Sequence, residues 1–292
     1  MVQSKVEMGC REIEYRYEYN DDSNVVTLPT SATETARTDA FGRLTEVAGP
    51  ISIDEYSYFQ EKDKATDLVN RVTRTLKNDT IERTRYIYDE NSNITEIRDG
   101  FNRLVSKYEY DTLGRLVKDG ETEFGYDTNG NILYKKTGEN IIEYKYSGDL
   151  MDSYNGQACD YDDLGNPFLY RDKALKWSHV RNLDSYDNGR VRFRYDAAGT
   201  RISKTHDNHR SEYVYHDGQL LMERRMSLTS DLEVGDYMYE GESYYSTATK
   251  LFDIEYLYGV DGITGFRIDD AAYYYLKNLA GDITHIYHDD DS

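Results

Sequence analysis

Residues 108–117 read Tyr-Glu-Tyr-Asp-Thr-Leu-Gly-Arg-Leu-Val, and this stretch specifies one β-hairpin. Tyr108 and Tyr110 lie on the same face of an extended strand, because successive strand side chains point to opposite faces. Asp111 can accept a hydrogen bond from a backbone N–H two residues later, and Gly114 can adopt the positive φ of a tight reversal. The aliphatic residues at the end of the stretch then form the returning strand.

Copies of this hairpin recur along the chain with the pattern aromatic-x-Tyr-Asp-x-x-Gly-Arg/Asn-aliphatic. Weaker copies occur near Tyr17 and Asp39, and the copies become clear after residue 80. We predict that the following residues form the structural turns of the repeat: Asp89, Asp111, Gly114, Asp127, Gly130, Asp162, Gly165, Asp196 and Gly199.

A repeated hairpin predicts an array, because one isolated hairpin is marginally stable in water and each unit must pack on its neighbours. The uneven spacing of the copies favours hairpins of different length over a solenoid of identical rungs. A β-propeller would repeat in blades of roughly forty residues, and a calcium-binding β-helix would contain Gly-Gly-x-Gly-x-Asp. Neither pattern occurs, so we predict an all-β fold of consecutive antiparallel hairpins in a long, curved or spiralling sheet.

Composition agrees with this prediction. The 292 residues include 30 Tyr and 21 Gly but only 3 Pro, a combination that favours strands and tight turns. The length is compatible with one large all-β domain or two smaller ones. The formal charge of −20 argues against nucleic acids and anionic membranes as partners, because phosphate binding requires an excess of Lys and Arg.

Cys10 and Cys159 are the only cysteines, too few for a disulfide framework, and we expect each to be a buried thiol. No apolar run is long enough for a membrane span, and the first residues are not followed by the apolar segment of a signal peptide. Nothing in this chain therefore directs export by the general secretory route.

Three residue types invite a chemical interpretation. Pairs of carboxylates can catalyse glycoside hydrolysis, but the repeated Asp residues are already explained as turn caps. His206/His209 and His285/His288 have near-ligand spacing, but no cysteine lies nearby and no helix aligns them, so we expect surface histidines and no metal. Tyrosines two residues apart can bind sugars, although sheet packing explains them better. We therefore expect no catalytic residue, no cofactor and no enzymatic activity.

The Tyr-Asp-x-x-Gly-Arg/Asn unit resembles the tyrosine-aspartate (YD) repeat of the RHS family. This family includes bacterial Rhs and wall-associated polymorphic toxins, the C components of insecticidal toxin complexes, and teneurins. The strongest matches begin at Tyr110, Tyr126 and Tyr195, and good copies cover about residues 80 to 220. A second match, from Tyr256 to Ile283, resembles the segment late in the RHS core. The proline- and aspartate-containing cleavage region that follows in the family is not present before Ser292.

The resemblance implies that residues 1–292 form a partial RHS shell, with degenerate repeats in 1–80, clear repeats in 81–220 and a late-core segment in 221–292. It implies a structural role in encapsulating and delivering a C-terminal toxin or effector of the same polypeptide, which is missing from this chain. The larger protein would be secreted or located at the cell surface. The alternative is an adhesion module that binds surface carbohydrate or a partner cell through exposed aromatic residues.

Overall fold

The computed structural model describes residues 2–8, 11–61, 64–229 and 247–290. Within these ranges the chain forms β-strands and no helix. The first strands are β1 Val2–Met8, β2 Arg11–Tyr19, β3 Ser23–Thr27, β4 Thr33–Thr38, β5 Leu44–Ala48, β6 Ser52–Glu61, β7 Lys64–Leu76, β8 Ile81–Tyr88 and β9 Ile94–Asp99. They are followed by β10 Leu104–Tyr110, β11 Leu116–Asp119, β12 Thr122–Tyr126, β13 Ile132–Thr137, β14 Asn140–Ser147, β15 Leu150–Tyr154 and β16 Gln157–Ala158.

The remaining strands are β17 Leu169–Tyr170, β18 Lys173–Ser178, β19 Asn182–Tyr186, β20 Val191–Tyr195, β21 Arg201–His206, β22 His209–His216, β23 Gln219–Thr229, β24 Thr247–Gly259, β25 Gly262–Ile268, β26 Ala271–Lys277 and β27 Ile283–His288. Strands β1 to β16 form one sheet and β17 to β27 form a second, each in sequence order. The predicted all-β fold of consecutive antiparallel strands is confirmed.

The boundary between the two sheets falls at the repeat turn of Asp162. Only an isolated bridge between Tyr161 and Pro167 forms between β16 and β17. Proline has no backbone N–H to donate to a ladder, so regular pairing cannot continue through Pro167. The chain consequently makes two sheets of the predicted kind.

A register shift precedes most of the repeat turns, and it falls at the tyrosine. On β10 the shift lies between Glu109 and Tyr110, so that Tyr110 pairs with Leu116. Equivalent shifts occur immediately before Tyr88, Tyr126, Tyr195 and Tyr215. Such a bulge adds one unpaired residue and increases the local twist of the strand, which sets the direction in which the turn leaves the sheet.

The chain divides into two compact units. Unit 1 comprises Met1–Tyr144, Leu257–Gly265 and Ala272–Ser292, and unit 2 comprises Lys145–Tyr256 and Phe266–Ala271. The core of unit 1 combines apolar residues from both ends of the chain. Its buried members are Ile13, Tyr15, Val26, Leu28, Ile51, Leu76, Leu257, Ala272, Tyr274 and Leu276. Residues of the late-core match therefore belong to the core of the early strands.

Unit 2 buries charged groups beside its apolar residues on β23 and β24. The Asp253 carboxylate is 2 % exposed and contacts Arg224 Nε at 3.0 Å and Lys250 Nζ at 2.8 Å. Burial disfavours the charged form, but the hydrogen bonds from Lys250 and Arg224 outweigh it and hold the pKa of Asp253 below its usual value. Asp253 is therefore a buried carboxylate whose charge is paired with those of Arg224 and Lys250.

Candidate functional site: the tyrosine-aspartate turns

The Asp111 turn shows the chemistry of the repeat in full. Asp111 Oδ1 accepts hydrogen bonds from the backbone N–H of Leu113 at 2.9 Å and of Arg115 at 3.0 Å. The Arg115 guanidinium donates from Nε to Asp111 Oδ2 at 2.7 Å. Gly114 has φ +75°, a conformation that suits glycine. The Asp111 carboxylate thus accepts from two backbone N–H groups and also fixes the Arg115 side chain at the end of the turn.

The other predicted turn aspartates have the same arrangement. Asp89, Asp127 and Asp162 cap two backbone N–H groups each, and their second oxygen accepts from the amide of an asparagine four residues later. Asp196 caps the N–H groups of Ala198 and Thr200. The glycines at 130, 165 and 199 all have positive φ.

Two further turns of this kind were not anticipated from the sequence. Asp99 Oδ1 accepts from the N–H groups of Phe101 and Arg103, and Asn278 Oδ1 accepts from those of Ala280 and Asp282. No Tyr-Asp pair marks either position. The signal that could have found them is the five-residue spacing Asp/Asn-x-x-x-Arg/Asp, which is sufficient for the cap and its side-chain partner.

The hydrogen bonds in these turns favour ionised carboxylates. The backbone N–H of Arg115 is the largest contributor that lowers the pKa of Asp111. For Asp89, Asp127 and Asp162 the asparagine side-chain amide is the largest contributor, and it lowers each pKa. Each carboxylate is therefore used as a charged acceptor within its own turn.

The repeat tyrosines connect one hairpin to the preceding one. The Tyr110 hydroxyl donates to the backbone oxygen of Ile94 at 2.9 Å, and the Tyr126 hydroxyl donates to that of Leu116 at 2.7 Å. In both cases the acceptor directly follows the last residue of the preceding turn. Equivalent hydroxyl links run from Tyr58 to Leu44, Tyr88 to Val69, Tyr161 to Met151, Tyr195 to Leu183 and Tyr215 to Arg201.

The residue that ends a turn also contacts the following repeat. Arg115 Nη1 donates to the backbone oxygen of Asp127 at 2.9 Å, and its guanidinium lies 4.8 Å from the centroid of the Tyr126 ring. Asn166 likewise donates to the backbone oxygen of Val180 at 2.7 Å. The repeat tyrosine therefore bonds to the preceding hairpin, and the arginine or asparagine that ends the turn bonds to the following one. These contacts explain why tyrosine, aspartate and arginine or asparagine occur together.

Loss of one hydroxyl link should weaken the sheet measurably. We expect Tyr110→Phe to lower the free energy of unfolding by about 1 kcal/mol, because it removes one hydrogen bond and keeps the ring. Denaturant unfolding of the whole chain measures the change. Tyr108→Phe is the control, since the Tyr108 ring lies two residues earlier on the same strand. Equal losses in the two variants would contradict the link.

Acid should destabilise the turns. A carboxylate whose pKa is lowered by folding contributes stability above its unfolded pKa of about 3.9, and this stability is lost as the pH falls through the folded pKa. We expect a variant with Asp89→Asn, Asp127→Asn and Asp162→Asn to lose less stability than the native chain between about pH 5 and about pH 3. The amide oxygen can still cap the turn but does not titrate.

Chemical denaturation at the two pH values provides the measurement for this comparison. Asp163→Asn is the matched control, because Asp163 is exposed and lies within one of the same turns. The turn explanation is wrong if the free energy of unfolding of the triple variant falls on acidification as much as that of the native chain.

Polar side chains also line a cavity of about 210 Å³ in unit 1. Glu34 on β4 is 4 % exposed, and it accepts hydrogen bonds from the Val260 N–H at 2.9 Å and from the Thr264 hydroxyl. Burial raises the pKa of Glu34, and the two hydrogen bonds only partly oppose this effect. We call this contact of Glu34 with Val260 and Thr264 the Glu34 clasp.

A second polar contact in the same cavity joins β7 to β26. Arg74 donates from Nε and Nη2 to Asp54 at 2.8 and 2.6 Å, and Nη2 also reaches the backbone oxygen of Lys277 at 2.7 Å. Burial is the main cause that raises the pKa of Tyr56, which lies beside this pair. The ionic groups of the cavity are therefore bonded to one another and to backbone, an arrangement that stabilises the core.

The remaining candidates from the sequence are spread through the fold. His206 pairs with His209 across β21 and β22, while His285 and His288 lie on β27. The residues that the structure describes contain no group of three or more His, Cys, Asp or Glu placed to hold a metal ion. Cys159 is a half-buried free thiol, whereas Cys10 lies outside the described residues. Within the same ranges, no helix has the length and apolar character to cross a bilayer.

Comparison with known proteins identifies relatives of low identity. No family model matches the chain. Human Teneurin-4 is 24 % identical in an alignment of 229 residues, and the match covers 68 % of this chain and 7 % of Teneurin-4. Mouse Teneurin-4 gives the same identity and coverage. Teneurins are among the proteins that the tyrosine-aspartate repeat resembles.

Solved structures show where else this fold occurs. The Tc holotoxin pore of Photorhabdus luminescens matches with a TM-score of 0.60 and 14 % identity, covering 95 % of this chain and 16 % of that one. The TcdB2-TccC3 crystal structure matches with a TM-score of 0.59 and 14 % identity, covering 95 % of this chain and 17 % of that one. The chain thus has an RHS-like fold, and it spans less than a fifth of the length of Teneurin-4 and of these two toxin structures.

Proposed function

We propose that this chain is a structural, non-enzymatic segment of the β-sheet shell of an RHS-repeat toxin. In this proposal the shell encloses a C-terminal effector of the same polypeptide, which lies outside this chain, and helps to deliver it. The observation that carries the proposal is the series of hydroxyl links, such as Tyr110 to Ile94 and Tyr126 to Leu116. They join each hairpin to the one before it.

The wall of a container must resist local opening, and the tyrosine hydroxyl links provide such resistance. An isolated hairpin opens easily, but a hairpin bonded to both neighbours through side chains opens only if those bonds break as well. Asp111 caps its own turn, and Arg115 of that turn bonds to the backbone oxygen of Asp127 in the following repeat, so these charged side chains would stabilise the wall. The RHS-like fold of toxin proteins supports the same role.

The proposal extends to location and partners. We infer that the complete protein acts outside the cell or at its surface, and that its partner is the effector carried by its own polypeptide. The likeness to Tc toxin structures supports this inference at the level of fold. The net charge of −20 does not favour a role in binding nucleic acid.

Protease protection tests encapsulation directly. The complete reading frame that contains this chain would be expressed with its C-terminal region, and the fragments would be followed by mass spectrometry during limited digestion. We expect the C-terminal region to survive in the intact protein and to be cleaved rapidly when it is expressed alone. Cleavage at the same rate in both samples would contradict encapsulation, as would a reading frame with no effector region.

A row of tyrosines on β2 supports adhesion as a second candidate function. The rings of Tyr15, Tyr17 and Tyr19 stack at centroid distances of 6.3 and 6.5 Å, and Tyr19 is 64 % exposed. Exposed aromatic faces can stack on the apolar face of a saccharide. Saturable binding on a glycan array that is lost in Tyr19→Ala but retained in Phe101→Ala would favour adhesion. No binding by the native chain would exclude this role for the stack.

A further inference from the structure

A depression in unit 2 collects basic side chains on one face of three neighbouring strands. Its volume is about 320 Å³, near the lower limit for small-molecule sites. Residues directly opposite each other on antiparallel strands share a face, as His206 and His209 do. The depression is lined by Lys204, His206, His209, Ser211, Tyr213, Glu223 and Arg225.

The cationic groups in this depression are incompletely paired. No hydrogen bond or ion pair of the Lys204 side chain occurs with the described residues. Arg225 Nε lies 2.5 Å from Glu223 Oε1, but the pair lacks hydrogen-bond geometry, and both atoms are buried without a hydrogen-bond partner in the described part of the chain. The other Glu223 oxygen accepts from the Tyr256 hydroxyl at 3.1 Å. Arg225 is thus ion-paired with Glu223 but 44 % exposed, and Lys204 has no bond to the described residues, so both cations can contact a ligand.

The balance of charge in the depression is positive, in a chain whose net charge is −20. Lys204 and Arg225 provide two cations against the single carboxylate of Glu223. Asp207, in the adjacent turn, lies 3.5 Å from His206 and is also bound by Arg190 at 2.8 Å. The two imidazoles contribute further N–H groups that face the depression.

We propose that this depression binds a tetrahedral oxyanion, a phosphate or sulfate group. Lys204, Arg225 and the imidazole N–H groups donate to its oxygens, which accept several hydrogen bonds at once. The single buried carboxylate of Glu223 orients Arg225 and repels more highly charged ligands. The volume accommodates one such group with an attached moiety of about the size of a sugar. This site goes beyond the shell role and does not depend on it.

Titration of the whole chain with inorganic phosphate tests the site. Calorimetry and the imidazole signals in proton NMR would be followed at about pH 6. We expect saturable binding and perturbation of two histidine signals, because both imidazoles line the depression.

Removal of one positive charge provides the decisive comparison. Lys204→Gln should weaken phosphate binding about tenfold, as expected for loss of a hydrogen bond from a charged group. Lys176→Gln is the matched control, because Lys176 is an exposed lysine of unit 2 on β18. We expect the control to bind phosphate as the native chain does. Circular dichroism verifies that both variants keep the strand content of the native chain.

Two further ligands distinguish the sources of the oxyanion. Tighter binding of a hexose monophosphate than of inorganic phosphate supports the site and assigns it to phosphorylated sugars. Equal binding supports the site and assigns it to the free oxyanion, while the neutral hexose should not bind. The proposal is overturned if phosphate does not saturate the native chain at about pH 6, or if Lys204→Gln and Lys176→Gln bind it equally.

Discussion

Glu34→Ala is expected to lower the free energy of unfolding by about 3 kcal/mol, because two buried donors lose their acceptor. The carboxylate accepts from the Val260 N–H and from the hydroxyl of Thr264, which is 6 % exposed. Each donor left unsatisfied in the interior costs about 1–3 kcal/mol. Equilibrium denaturation of the whole chain, followed by circular dichroism, measures the loss.

Two variants control this result. Glu34→Gln keeps a carbonyl oxygen for one partner and offers an amide N–H to the Thr264 hydroxyl, so we expect stability within about 1 kcal/mol of the native chain. Glu18→Ala removes an exposed carboxylate from β2 and should have almost no effect. A loss in Glu34→Ala no larger than that in Glu18→Ala would disprove the Glu34 clasp.

The pH dependence of the Glu34 clasp has the opposite sign to that of the turns. Because burial raises the pKa of Glu34, its contribution is complete below the unfolded pKa of about 4.3 and decreases as the pH rises through the folded pKa. The difference in stability between the native chain and Glu34→Gln should therefore change most above about pH 4. A difference that is constant with pH would show that Glu34 is not titrating in this range.

Gly259 provides an independent probe of the same contact. A Cβ atom at Gly259 would collide with the Glu34 carboxylate, so Gly259→Ala should displace that side chain. In a chain that already contains Glu34→Ala the added methyl group meets no carboxylate. We therefore expect the double variant to be more stable than the sum of the single losses predicts, with a coupling energy of about 1 kcal/mol or more. Additive losses would mean that a Cβ atom at residue 259 does not disturb the Glu34 side chain.

Tyr274→Ala is expected to have the largest effect, a loss of about 3–5 kcal/mol. Tyr274 is 1 % exposed and lies in the core of unit 1, and its hydroxyl is hydrogen-bonded to Thr30 Oγ1 at 3.0 Å. Truncation to alanine removes a buried ring and leaves a cavity that the surrounding strands fill only in part. Denaturant unfolding and the loss of near-ultraviolet signal would both report this change.

Tyr274→Phe separates the contribution of the ring from that of the hydroxyl. We expect it to cost only about 1–2 kcal/mol, since the ring remains and Thr30 loses one partner. Tyr134→Ala is a suitable control, because Tyr134 is 38 % exposed on β13 of the same unit. If Tyr274→Ala were no more damaging than Tyr134→Ala, the late-core segment would not belong to the core of the early strands.

Two kinds of contact would hold the proposed shell together. The hydroxyl links strengthen contacts between consecutive hairpins, whereas the Glu34 clasp and Tyr274 hold residues 257–265 and 272–292 against the early strands of unit 1. Loss of a hydroxyl link should therefore open the sheet locally, and loss of the clasp should release a segment distant in sequence. Hydrogen exchange on Tyr110→Phe and Glu34→Ala would distinguish the two responses by the strands that lose protection.

The sequence by itself determined the hairpins. Alternation of Tyr108 and Tyr110, the acceptor at Asp111 and the glycine at Gly114 act within a few residues, so their effect does not depend on the rest of the chain. The same local reasoning missed Asp99 and Asn278, where neither a preceding tyrosine nor the Asp-x-x-Gly pattern marks the turn. The turn itself needs only an acceptor and the backbone donors that follow it.

Only the tertiary structure decided which distant groups meet. Each tyrosine hydroxyl reaches a backbone oxygen of the preceding hairpin, and the partners of Glu34 lie 226 and 230 residues away. The positive depression likewise depends on the register of three strands. Local hydrogen bonds form at little cost in chain entropy, but a contact across more than two hundred residues forms only when the rest of the core brings its groups together.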